Sequence, residues 1–530
     1  MVPSSPKILL TDRVEAVCAE ILTREGFQVD IHKDADPARL FDVIGEYDGL
    51  VVRSVTRVTS ELLNRALSLK VIGRAGAGVD TIDVTAATRR GILVMNTPGG
   101  NTVSTAEHTM SLLLSMARNI PQACGSMREG KWERSRFLGT ELCGKTLGIV
   151  GLGKIGREVA KRCQAFEMTV IGCDPVLSAE VASKFGIELV ALEELLNRSD
   201  FITIHAPLND ETRGLIGRKQ IELCKDGVRF VNCARGGIVE EQALLEALES
   251  GKVASAALDV FSTEPPSHNP LVHHPRVVVT PHLGASTEEA QEKVARQIAE
   301  QIADFFHGRR ITGAVNGEVL GMALSEDVQP YARLAEHIGR FLAQVVNGSL
   351  KQVTVACKGS VLARSSELIV SSTMKGVLAQ FLSEPVNLVN VRAIAKEIGI
   401  TVVASQEDAA KPYANLLEIE YVTDREARKA GGTVFNGSLI RIVQIDGYHV
   451  EIVPEGYLLI YENVDRPGML AQMGTILACE NINIAGLSLG RTVPGERALT
   501  IMSIDSKIPD GILGRLRQVE GISNLKFVFL

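Results

Sequence analysis

TLGIVGLGKIGREVAKRCQAF, residues 146–166, joins an apolar run, Thr146–Val150, to a glycine turn and then to a helical pattern from Lys154 to Phe166. Gly151, Gly153 and Gly156 stand at the spacing that permits a tight turn, close approach of backbone to a pyrophosphate, and close packing of a helix whose N-terminus attracts the anion. A glycine fingerprint alone is weak. The next apolar run, MTVIGCD, ends on Asp174, about the twenty residues downstream at which a carboxylate accepts hydrogen bonds from a ribose diol. That acid repels a 2′-phosphate, and Pro175 and Val176 offer no arginine for one, so the pattern predicts NAD over NADP.

Outward from this turn, TLGIVG, MTVIGCD, FITIHA, VRFVNCA, ASAALDVF and RVVVTPH supply six strands in turn, enough for a doubly wound Rossmann domain over residues 99–284. Upstream, KILLTD, DGLVVRS, KVIGRAGAG and GILVMN alternate with helical patterns such as VEAVCAEILTREG, the rhythm of a second parallel, flavodoxin-like α/β unit. STAEHTMSLLLSMARN reads as a crossing helix opened by a Ser104/Glu107 capping box, and EEAQEKVARQIAEQIADFFHG as a returning helix closed by Gly308. The Rossmann domain is therefore expected inside a substrate domain made of 1–98 and 285–316. From Gly317 the texture changes, and 317–453 reads as an intervening α+β domain. The tail, 455–530, reads strand, helix, strand, strand, helix, strand, a ferredoxin-like order. GRAGAGVD at 73–80 lacks the third glycine, because position 81 is Thr, and reads as a loop near substrate.

Composition narrows the function. The 530 residues are 45% apolar and 22% charged with a net charge of −7, so there is no basic footprint for nucleic acid or an anionic membrane. Nine cysteines lie singly with no CxxC pair, which predicts free thiols in a reducing, cytoplasmic compartment. No run of eighteen apolar residues offers a membrane span.

In an open α/β sheet, ligands sit beyond the carboxyl ends of the strands. Arg235 follows VRFVNCA, Asp259 and Glu264 follow ASAALDVF, and His282 follows RVVVTP, with Leu283-Gly284-Ala285 next. A guanidinium grips a carboxylate through two parallel hydrogen bonds, and an imidazole takes a hydroxyl proton. A glutamate beside that imidazole fixes its tautomer and stabilises the imidazolium. Together they suit oxidation of a 2-hydroxy acid. His268, His273 and His274, in the same stretch, have no spacing that gathers metal ligands on one helix face, so no metal is expected. His205, after FITI, reads as a cofactor-side or structural residue.

GLGKIGREVA, CDP at 173–175, NCARGGIVEEQALLEAL, AALDVFSTEPP and TPHLGAS together resemble the D-isomer-specific 2-hydroxyacid dehydrogenases. VVRSVTRVT, VIGRAGAGVDTIDV, GILVMNTPGGNTVSTAEH and GKWERSRFLGTELCGKTLGI narrow the resemblance to the long branch that carries an intervening and a C-terminal ACT domain, so it spans the chain. It implies NAD-linked oxidation of 3-phosphoglycerate to 3-phosphohydroxypyruvate, the entry step to serine. Carried over by position, Arg235 holds the carboxylate, His282 is the acid/base and Glu264 its partner. Cofactor contacts fall on Gly151, Gly153, Lys154, Ile155, Gly156, Asp174, His205, Ala206, Cys233, Ala234, Gly284 and Ala285, with Asp259 on the nicotinamide carboxamide. Ala77 stands where relatives carry threonine, leaving only backbone there. Substrate contacts fall on Arg53, Ser54 and Gly76, and on Arg134 reaching in from a neighbouring subunit of a homotetramer. In the tail, Asn463, Asp465 and Asn483 match the positions for L-serine as effector, bound between paired ACT copies. The rivals are a hydroxypyruvate, glyoxylate or D-lactate dehydrogenase, and a NAD-sensing interaction protein of the same fold; the intact Arg235, Glu264 and His282 argue for catalysis.

Overall fold

ILL, LVV and VIG are buried along their whole length, which suits parallel strands covered by helices on both faces. The computed structural model, which describes residues 5–32, 37–408 and 411–530, places them in a five-stranded parallel sheet. Its order is Gln28–His32, Lys7–Thr11, Gly49–Val52, Val71–Arg74, Leu93–Met95. The edge strand QVDIH carries no apolar run, so the sequence pattern passes over it. Helix Glu288–Phe306 lays Ala295, Ile298, Ala299 and Ile302 on this sheet. Thr287 caps the helix, and it closes at His307 and Gly308.

The second sheet is also parallel. Its order is Val277–Val279, Val253–Leu258, Val228–Asn232, Phe201–Ile204, Thr146–Val150, Thr169–Cys173, Glu188–Leu189. Seven strands stand where six were read. The missed one, Glu188–Leu189, is a two-residue edge strand too short to show periodicity. The order reverses between Thr146–Val150 and Phe201–Ile204, so Gly151 and His205 flank the switch point where such sheets bind ligands.

Helix Thr102–Ala117 packs on this sheet through Ala106, Leu113 and Met116, beside Leu147 and Val159. Ser104 is not its cap. The helix begins two residues earlier, after Asn101, and the Ser104 hydroxyl donates to the carbonyls of Asn101 (3.2 Å) and Gly284 (3.1 Å). The serine thus ties the helix to the loop that follows the last Rossmann strand.

Further on, a mixed six-stranded sheet runs Thr401–Glu407, Leu350–Lys358, Leu416–Thr423, Ala427–Phe435, Leu439–Ile445, Tyr448–Ile452. Helices Gln329–Val345 and Ser366–Leu378 share its core through Leu334, Ile338, Phe341 and Val377. The tail is an antiparallel sheet ordered Ile484–Arg491, Arg497–Ile504, Tyr457–Val464, Ile522–Phe529, with two helices on one face. Its other face, with Leu458, Ile460, Leu499, Ile501 and Val528, joins the core of the mixed sheet. No helix among the described residues is long and apolar enough to cross a membrane.

Candidate active site

The loop after strand Val253–Leu258 and the loop after Val277–Val279 are held by one carboxylate. Asp259 has no exposed surface, and its Oδ1 accepts from the Thr280 hydroxyl (2.6 Å) and Leu283 N–H (2.7 Å) and lies 3.1 Å from His108 Nε2. Its Oδ2 accepts from Gly284 N–H at 2.9 Å. Burial alone would favour the neutral acid, but the donors from His108, Thr280 and Leu283 outweigh it and hold the carboxyl below its ordinary 3.8. Both of its oxygens are thus engaged, and the side chain organises the His282 loop.

Within that loop His282 has φ 55°, a left-handed backbone unusual for a residue with a side chain. Its N–H donates to the carbonyls of Asp259 (2.9 Å) and Thr280 (3.0 Å), which fixes the turn. His282 Nδ1 then lies 2.9 Å from Glu264 Oε2, and Glu264 Oε1 accepts from Phe261 N–H at 3.1 Å. Burial opposes ionisation of Glu264, yet His282 and the Phe261 N–H prevail and keep its carboxyl below 4.5. None of His268, His273 and His274 hydrogen-bonds to either member of the pair.

The glycine turn has the shape a pyrophosphate requires. Gly151 has φ 92°, and a Cβ there would meet the His205 carbonyl, while one on Gly156 would collide with the Gly151 carbonyl. Gly153 opens the helix Lys154–Ala165 with clear space beside it. Asp174 accepts from Leu152 N–H (2.8 Å), Val176 N–H (2.9 Å) and Leu177 N–H (3.0 Å), so it stands at the rim of the turn with its carboxyl lowered despite partial burial. These residues fit a dinucleotide. Lys154 Nζ reaches the Pro98 carbonyl at 3.2 Å, and Ile155 packs under the turn. Cys233 and Ala234 are buried at the strand end, where the Asn232 side chain accepts from Ala234 N–H and donates to the Arg235 carbonyl. The Gly284 carbonyl accepts from Ser104 and Thr105, and Ala285 is half-buried beside it. At His205, Nε2 pairs with the Thr203 hydroxyl at 3.0 Å, Nδ1 is sealed without a partner, and burial pushes the ring down to about 3. Position 205 lends the turn its backbone, followed by half-buried Ala206.

Across the cleft, Arg235 of the second sheet meets polar and cationic side chains of the first. Arg235 Nε lies 3.1 Å from Asp80 Oδ2, and its Nη1 donates to the Ala234 carbonyl at 2.7 Å. Arg74, at the end of strand Val71–Arg74, lies against Gly76 with its Nε buried and unpartnered. Burial first, then the nearby Arg235 and Arg53, lower its pKa to about 10. Arg53 itself donates to the Arg13 carbonyl (3.2 Å) and Gln291 (3.4 Å), and Ser54 beside it is exposed. The loop holding Arg53 and Ser54 is pinned by buried Asp12, which accepts from the N–H groups of Arg53 (2.8 Å), Val55 (3.2 Å) and Thr56 (3.0 Å).

Sequence reading missed Arg74, Asp80, His108, Asp12 and Thr280. Arg74 and Asp80 sit inside GRAGAGVD, and Thr280 inside TPHLGAS, so position at a strand end was the available signal. Asp12, which follows strand Lys7–Thr11, carried the same signal, and His108, inside a helix, had none. Arg134, in the exposed turn Arg134–Phe137, makes no contact with Arg235, Glu264 or His282 in this chain. The three tail residues are not gathered either. Ile484 lies opposite Ile504, and Arg491 opposite Ala498, which pairs with Asn463, so Asn483 and Asn463 sit at opposite ends of the sheet, about 25 Å apart at the usual strand rise. Asn463 bonds Thr500 and the Val464 carbonyl, Asp465 pairs with Arg491, and Asn483 with Asp505.

A dinucleotide turn facing guanidiniums, with an imidazole–carboxylate pair on the strands between, defines the NAD-dependent dehydrogenases of 2-hydroxy acids. Sequence comparison agrees, since the model for the D-isomer specific 2-hydroxyacid dehydrogenase NAD binding domain matches residues 110–284. That for the D-3-phosphoglycerate dehydrogenase intervening domain matches 327–446, and the ACT domain 457–521. D-3-phosphoglycerate dehydrogenase of Archaeoglobus fulgidus is 42% identical over 527 residues, 99% of this chain and 100% of that protein. The Bacillus subtilis enzyme of the same name is 40% identical over 524 residues, 99% of each. The chain belongs to the D-3-phosphoglycerate dehydrogenase family. Among solved structures, an NAD-dependent formate dehydrogenase from Staphylococcus aureus in complex with NAD is 31% identical with a TM-score of 0.53, covering 58% of this chain and 97% of that one.

Proposed function

We propose that the protein oxidises 3-phosphoglycerate to 3-phosphohydroxypyruvate with NAD, opening the route to L-serine. The observation that carries this reading is the cation count: Arg74 lies within electrostatic reach of both Arg235 and Arg53, which gives two guanidiniums beyond the one that a carboxylate needs. They suit a phosphate.

Arg235 grips the substrate carboxylate. With Nδ1 of His282 bonded to Glu264, the proton rests on Nδ1 and the Nε2 lone pair is available to take the 2-hydroxyl proton. Glu264 then stabilises the imidazolium. NAD, held by the Gly151–Gly156 turn and Asp174, supplies the hydride acceptor. Assay of 3-phosphoglycerate against D-glycerate and D-lactate tests the reading; preference for an unphosphorylated acid overturns it. The glyoxylate and hydroxypyruvate alternatives are less favoured, because relatives named D-3-phosphoglycerate dehydrogenase match the full length.

The same reading includes domain limits at 1–98 with 285–316, 99–284, 317–453 and 455–530, a cytoplasmic setting that suits the nine free cysteines, and a homotetramer. The exposed Trp132 and Leu138 around Arg134 support a subunit contact there. L-serine lowers activity by binding between two ACT copies. Antiparallel pairing of the edge strand Ile484–Arg491 across a two-fold axis brings Asn483 of one copy to the Asn463 and Asp465 end of the other.

A further inference from the structure

Arg235 belongs to the Rossmann half, yet part of what surrounds its head comes from the other half. Asp80 Oδ2 takes Nε at 3.1 Å, and the guanidinium lies on Gly78 so closely that a Cβ there would fall on Nη2. Gly78 has an ordinary negative-φ backbone, so a side chain at 78 would displace the Arg235 guanidinium and the Asp80 carboxylate rather than strain the chain's own conformation. The loop is rigidly anchored: Asn96 Nδ2 donates to the Ala77 carbonyl at 2.6 Å and Thr97 N–H to the Gly76 carbonyl at 3.0 Å.

We infer that Gly78 and Asp80 form a seat that positions Arg235, so that its carboxylate-gripping edge is set only when the two domains meet. A guanidinium has a side edge, Nε with Nη2, and an end edge, Nη1 with Nη2. Asp80 engages the side edge through Nε, and the Ala234 carbonyl takes one Nη1 proton. The end edge therefore remains for a carboxylate, held at a fixed angle by one acceptor from each domain. Asp80 and Gly78 are positioning residues, acting through Arg235.

This inference rests on Arg235 holding the substrate carboxylate, and the test separates the two. Steady-state KM and kcat for 3-phosphoglycerate, NAD affinity by nucleotide fluorescence and thermal midpoints are measured for Asp80→Ala, Asp80→Asn, Gly78→Ala and Arg235→Lys, and for the first and third of these in the Arg235→Lys background. Asp80→Ala is expected to raise KM about fivefold, the upper end for an exposed ion pair. NAD affinity and the midpoint stay unchanged. Asp80→Asn, which keeps an acceptor, recovers part of the loss, and Gly78→Ala raises KM with kcat falling less. In the Arg235→Lys background neither substitution adds to the effect, because the fork they orient is gone. An unchanged or lowered KM in Asp80→Ala, NAD affinity falling in step with KM, or full effects persisting in the Arg235→Lys background overturn the seat. If Arg235→Lys itself leaves KM unaltered, the role assigned to Arg235 fails first.

Discussion

His282 Nδ1 lies 2.9 Å from Glu264 Oε2, and the loop that continues from His282 through Leu283 and Gly284 hangs by its N–H groups on a different carboxylate, that of Asp259. One acid orients the ring and another shapes the loop. Replacing His282 by Ala removes the base and is expected to lower kcat by about 10²- to 10⁴-fold, while Glu264→Gln costs less because the base remains. NAD affinity, measured in parallel, stays constant in both. Normal turnover in His282→Ala excludes it as the base.

Asp259→Ala leaves four donors around an emptied site and is expected to lower unfolding stability by about 3 kcal/mol, with activity lost as the His282 turn relaxes. Urea titration reads the first effect and single-turnover kinetics the second. A fully stable, active variant contradicts the organising role.

Asp174→Ala removes the acid at the end of Thr169–Cys173. The Kd for NAD is expected to rise about tenfold, a loss near 1.4 kcal/mol, and discrimination against NADP to relax. The KM for the hydroxy acid, measured at saturating nucleotide, stays as it was; a parallel rise would place Asp174 outside the cofactor site.

His205 sets a pH dependence of stability. Its folded pKa is pushed down from 6.5 to about 3 by burial, so the native ring stays neutral while the unfolded one takes a proton. The unfolded state therefore binds more protons between those values, and stability falls as pH drops through that window, by up to about 1.4 kcal/mol per unit. Urea midpoints of the parent and His205→Gln across the window should diverge, the variant being flatter; identical slopes refute the assignment.

Serine inhibition should need two chains. Asp465→Asn and Asn483→Ala, each alone, are expected to lose inhibition by L-serine. Hybrids made by mixing the two recover part of it, since one of the two sites at the hybrid interface pairs an intact Asp465 with an intact Asn483. Hybrids as insensitive as both parents would place the effector elsewhere.

The glycine turn, Asp174 and the run of strands were legible because each depends on neighbours in the chain: apolar periodicity, a turn that only glycine fits, an acid at a strand end. Glu264 and His282 were legible for a related reason. They follow adjacent strands of one parallel sheet, so the sheet rule places both on the same edge. Edge strands Gln28–His32 and Glu188–Leu189 were not, since a short or polar edge strand has no core to pattern its residues.

Position along the chain thus determined the two α/β units, the nucleotide turn and the pairing of Glu264 with His282. Only the tertiary structure decided that Asp259 faces inward to hold a loop, that His205 turns onto Thr203, and that Asn483 lies a sheet's length from Asn463. It alone decided that Arg235 rests on Gly78 and Asp80. The reason is physical: turns and strand periods are set by backbone sterics within a few residues, whereas a side chain's partners across a domain cleft are set by how two separately folded cores pack, which no local spacing encodes.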